Sequence, residues 1–145
     1  MAQVSTVKVS YTATHPAVQA YNVLHVGFFL LPVIAGLDKF FELLARWGIY
    51  LAPAIPAALA VSPQVIMYAV GIIEISIGII VLARPRVGGY LAAVWLWLII
   101  TNLLIQGVYY DIALRDFGLS LAALALARLA EADGEEYTEV SGRAE

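Results

Sequence analysis

Seven residues stand out because they are polar or ionisable within otherwise apolar runs: His25, Asp38, Lys39, Glu74, Asn102, Arg115 and Asp116. In hydrocarbon a charged side chain costs roughly 2.5–3.5 kcal/mol on insertion scales, so such groups turn inward and take partners. Three kinds of chemistry are open to this set. An ammonium or guanidinium group can hold a carbonyl or anionic oxygen. A carboxyl group kept from water can exchange a proton. Opposite charges can also simply neutralise one another and fix how helices pack. Glu74 is the most isolated of them, because its own apolar run holds no basic residue. Its partner is Arg115 or Lys39 from another segment, or it holds its own proton.

Other chemistries are absent. There is no cysteine, so disulfides, thiolate metal sites and cysteine nucleophiles are excluded. The only other histidine, His15, lies in a polar stretch and the methionines are Met1 and Met67, which is a poor ligand set for haem. Asp111 and Asp116 lack a third carboxylate at metal-ligand spacing, so no metal is expected. Gly88-Gly89 is a dipeptide at a helix start and not a phosphate loop, and no hydrolase elbow occurs. No catalytic motif is present, which leaves an activity of the chain's own undecided.

The elements that must position these residues follow from composition. Of 145 residues, 62% are hydrophobic and only 13% charged, and the mean hydropathy is +0.86. Soluble domains carry roughly 25% charged residues. A net charge of −3 offers no basic patch for a nucleic acid. The pattern is that of an integral membrane protein with one all-α domain, a four-span transmembrane bundle over residues 17–130. It is flanked by a polar tail (1–16) and an acidic, solvated tail (131–145). The spans run over about 17–44, 65–83, 87–106 and 112–130, with Pro32 a site for a kink in the first. Between the first two, Pro53, Pro56 and Pro63 spoil a continuous helix, while Trp47 and Tyr50 suit a membrane–water boundary. That stretch reads as a short interfacial or re-entrant segment.

Helical spacing gives each span an inward face. His25, Pro32, Gly36 and Lys39 share one stripe, and Gly71, Glu74 and Gly78 a second, where small residues let a neighbouring backbone approach. Gly88, Trp95, Asn102 and Gln106 form a third, and Asp116, Ser120, Ala123 and Ala127 a fourth. Trp95 and Trp97 read as core or lipid-facing residues, and Asn102 and Gln106 as hydrogen-bonding neighbours of other helices. Glu42 with Arg46, and Asp111 with Arg115, have the spacing for pairs along one helix, while Asp38 and Asp116 compete for Lys39 and Arg115. Four spans put both termini on one side. That side holds Lys8, Arg84, Arg86, Arg128 and Arg143, against Lys39, Arg46 and Arg115 on the other. The positive-inside rule then makes the termini cytoplasmic.

The layout resembles the DoxX-like family of small four-helix bacterial membrane proteins. The likeness covers roughly residues 20–130 and rests on Gly36-Leu37-Asp38-Lys39-Phe40, on Glu74-Ile75-Ser76-Ile77-Gly78 and on the turn at Arg84–Arg86. The proline-rich loop and the Tyr110–Asp116 opening of the fourth span depart from the family pattern, as in a divergent branch. The resemblance touches Gly36, Lys39, Glu74 and Gly78. It implies a bacterial inner-membrane location and a place beside quinone-linked redox chemistry, with quinone as the ligand, no covalent cofactor, and an oxidoreductase subunit or a second copy as partner. The same intramembrane charges would also serve a small transporter or ion-conducting oligomer, or a structural subunit whose polar centre only specifies packing.

Overall fold

The computed structural model describes residues 15–141, with side chains through residue 132; the polar segment 1–14 and residues 142–145 lie outside the described residues. Prolines and caps punctuate the chain. Helix α1 (Pro16–Phe41) opens with proline in its first turn and with the His15 side chain accepting from the Ala17 amide at 3.2 Å. Pro32 stands inside α1 without ending it. After a 3₁₀ turn (Trp47–Tyr50) and a short α2 (Ala54–Leu59), the Ser62 hydroxyl caps α3 (Pro63–Ala83). Arg84 alone separates α3 from α4 (Pro85–Gln106). Gly107, at φ 75°, closes α4 in the left-handed conformation that glycine adopts without strain. Helix α5 (Tyr110–Ser141) carries Asp111 in its first turn, where the helix dipole favours an acid.

Helices α1, α3 and α4 are long and apolar enough to cross a bilayer; at 1.5 Å per residue even α3 reaches about 31 Å, close to the hydrocarbon thickness. Their outward faces carry Val23, Leu31, Phe41, Ile72, Leu98 and Ile105, all exposed. A surface this apolar is solvated by lipid, and the chain is a multi-pass membrane protein. Helix α5 differs. Arg115, Asp116 and Arg128 bracket an uncharged stretch of only eleven residues, 117–127.

Two helix pairs make the bundle: α1 packs mainly on α3, α5 mainly on α4, and a narrower seam joins α3 to α4. Glycines set the spacing. A Cβ on Gly36 would stand 2.6 Å from the Gly71 carbonyl oxygen, and one on Gly78 would stand 2.9 Å from that of Phe29. The two helices are therefore antiparallel and in backbone contact along the stripes that the sequence marks. Gly89 plays the same part between α4 and α5, against Ala123 and Ala127. Phe28, Ile77, Val81, Ala93 and Leu126 fill the centre of the bundle.

Two boundaries differ from expectation. The first span ends at Phe41 rather than near residue 44, because Glu42 turns the chain left-handed (φ 52°). Helix α5 continues past residue 130, where the fourth span was expected to end, in an extension to Ser141. Near its base, Glu131 accepts from Tyr90 Oη at 3.0 Å and pairs with Arg86 Nε at 3.1 Å and with Arg128.

Candidate functional site: a buried ion pair under an indole roof

The site is assembled where α1 ends against α3. Antiparallel packing over Gly36 and Gly71 brings the last turn of α1 level with the middle of α3. Lys39 Nζ lies 2.5 Å from Glu74 Oε2, and the lysine and glutamate side chains are 3% and 8% exposed. Of the two partners open to Glu74, the fold selects Lys39. The ammonium also donates to the Ala35 carbonyl at 3.4 Å, a contact strengthened by the negative end of the helix dipole. Its remaining direction is taken by a ring: Nζ sits 3.8 Å from the centroid of the Trp47 ring system, a cation–π contact. On the other side, Trp95 Nε1 donates to Glu74 Oε1 at 3.5 Å. Lys39 is the only buried basic side chain among the described residues.

Asp38, next along α1, faces the loop instead. Its Oδ1 accepts from the amides of Leu43 and Leu44 at 2.9 and 3.0 Å. Its Oδ2 accepts from Leu44 and Ala45 at 3.1 and 3.3 Å and from Trp47 Nε1 at 2.7 Å. One carboxylate thus satisfies the amides that follow the helix end and sets the indole in place. The expectation that Asp38 and Asp116 compete for the same cations does not hold, since Asp38 accepts only from N–H groups of the loop. Nor can Glu42 and Arg46 pair along a helix that ends before both of them.

Residues 42–52 then fold back across the end of the bundle. Asn102 clamps them, with Nδ2 donating to the Tyr50 carbonyl at 2.7 Å and Oδ1 accepting from the Ala52 amide at 2.9 Å. Gln106 Nε2 donates to the Ile49 carbonyl at 2.6 Å. Leu51 and Ala52 are buried as a result. Asn102 and Gln106 therefore hold a loop, not a neighbouring helix.

The other sequence candidates are dispersed. Asp116 is buried within electrostatic reach of Glu74. Its cation is the adjacent Arg115, whose Nε lies 3.7 Å from Oδ1 although the arginine side chain is 69% exposed. His25 sits nearer the opposite end, where Nε2–H donates to the Val81 carbonyl at 2.9 Å. Among the described residues no three His, Asp or Glu side chains gather as metal ligands. The residues that sequence reasoning missed are Trp47 and Trp95. A buried indole N–H needs an acceptor, and the carboxylates of Asp38 and Glu74 were the signal available. Comparisons with protein-family models, with characterised proteins and with solved structures return no match to this chain.

Proposed function

We propose that the chain is a four-span inner-membrane protein of the DoxX-like type, serving as an accessory, quinone-associated subunit of a membrane redox system. In this reading α5, which packs along α4, is the fourth span, and the arginines at the α3–α4 turn favour cytoplasmic termini. The observation that carries the reading is the coordination of Lys39: a buried ammonium with one of its directions given to an indole face instead of an oxygen. A quinone carbonyl is an acceptor suited to that direction. Trp47 and Trp95 offer flat apolar walls for the ring, and Glu74 with Asp116 supplies carboxyl groups that can pass protons. Electrons come from a partner subunit.

Binding is tested by titrating a short-chain ubiquinone analogue into the reconstituted protein and following quenching of tryptophan fluorescence. Wild type gives saturable quenching. The double variant Lys39→Met/Glu74→Met, in which no buried charge is left unpaired, folds but does not saturate. Quenching that only follows partition of the quinone into lipid, or that is equal in the two proteins, overturns the proposal. The saturation of Lys39 and Glu74 by groups of this chain favours a second reading, a structural subunit whose ion pair only sets helix register. That reading expects no quinone binding and an effect of these substitutions on stability alone.

A further inference from the structure

Beyond the ligand that the ion pair would take, the loop above it has its own logic. Residues 42–52 are fastened at two places by side chains of different helices. At the far end Asn102 and Gln106 hold residues 49–52. At the near end a single carboxylate, Asp38, gathers three backbone amides and the Trp47 indole N–H. Trp47 in turn covers Lys39. The near half of this loop thus meets the buried pair through Trp47, whose indole N–H is held by Asp38.

We propose that residues 42–52 are a lid over the Lys39–Glu74 pair, that Trp47 is its latch, and that Asp38 is the positioning residue that keeps the latch shut. The chemistry of the closure is asymmetric. The indole is bound to the ammonium through its ring face, a contact that an oxygen acceptor can replace, while its N–H is held by a charged acceptor at 2.7 Å. Releasing the N–H frees the ring to leave Lys39 and uncovers the ammonium from the loop side of the bundle, without separating any two of the long helices. Glu42, a non-glycine residue at φ 52°, gives the lid a strained near hinge that the Asp38 hydrogen bonds hold in place.

The chain has no cysteine, so a single introduced thiol reports opening without background. Leu51→Cys places it on the buried face of the lid itself, and Val81→Cys places a control thiol in the bundle centre; Leu51 and Val81 are both buried. The detergent-solubilised protein is treated with N-ethylmaleimide in a background with and without Asp38→Asn. Asparagine keeps one acceptor oxygen but turns an amide N–H toward donors, so the Trp47 bond or the Leu43 and Leu44 bonds must break. Labelling at position 51 is expected to accelerate about tenfold or more, while labelling at position 81 is unchanged. Trp47→Phe, which keeps a ring for the ammonium but has no N–H, is expected to accelerate position 51 alone by a smaller factor, and it carries the test if the asparagine variant does not fold. Equal rates at position 51 with and without the substitution overturn the latch. So does parallel acceleration at both positions, which is general loosening and not a lid. Neither outcome depends on whether a quinone binds.

Discussion

Removing one member of the Lys39–Glu74 pair should cost far more than removing both. Lys39→Met leaves the Glu74 carboxylate buried with only the Trp95 indole N–H at 3.5 Å as partner. Breaking a buried pair in this way typically costs about 3–5 kcal/mol, because one charge stays in low dielectric without compensation. Glu74→Met strands the ammonium instead. It retains the Ala35 carbonyl at 3.4 Å and the Trp47 ring, and a desolvated cation–π contact worth about 2 kcal/mol puts this variant at the lower end, about 3 kcal/mol. In the double variant nothing is left charged, methionine is close to both side chains in volume, and the thioether introduced at position 39 can rest its sulfur on the Trp47 ring. It should lie within about 2 kcal/mol of wild type. The assay is unfolding by dodecyl sulfate in mixed micelles, followed by far-UV circular dichroism of wild type, both single variants and the double. A coupling energy of about 3 kcal/mol or more is expected. Single variants that each cost under about 1 kcal/mol, or a double variant equal to the sum of the singles, would refute the reasoning.

Two further outcomes follow from contacts of the same region. Gly36→Ala puts a methyl group 2.6 Å from the Gly71 carbonyl oxygen and should destabilise by about 1–3 kcal/mol in the same titration, whereas Gly27→Ala, with nothing within 4 Å, should be neutral or stabilising by about 0.5–1 kcal/mol. Asn102→Ala removes both clamps on residues 50 and 52; amide hydrogen exchange at Ala52 should rise by about tenfold or more, with exchange in the middle of α3 unchanged.

Much of the scaffold is legible because membrane helices announce themselves by length and apolarity. The second and third spans run from Pro63 and Pro85 to the residues expected of them, Ala83 and Gln106. The Gly71/Glu74/Gly78 stripe was legible too, since only a helix face with missing side chains lets α1 come so near. What the sequence hid was decided by backbone hydrogen bonding at one helix end. Asp38 reads as an intramembrane charge seeking a cation, yet it serves as an acceptor for the amides of the loop that follows α1, and the left-handed turn at Glu42 carries no glycine to mark it. Trp47 was read as a boundary aromatic for the same reason: the fold-back that carries it onto Lys39 depends on Asp38 and Asn102, residues nine positions before it and 55 after it. Arg115 shows the opposite failure. Its position suggested the polar centre, but its side chain is largely exposed, and the buried place belongs to Asp116 beside it.

The partition of the bundle into two helix pairs has a consequence for how such a chain is made. Both members of the central ion pair, and the tryptophan that roofs it, belong to the part of the chain that leaves the ribosome first, before any of α4. Lys39 and Glu74 can therefore cancel each other inside a hairpin of α1 and α3 while that hairpin is still beside the insertion machinery. A pair formed at that stage spares the membrane either charge alone, and leaves α4 to pack on a surface already electrically quiet, to which Trp95 adds one more donor. Asp116 has no such early partner: α5, which carries it beside Arg115, is made last and packs mainly on α4.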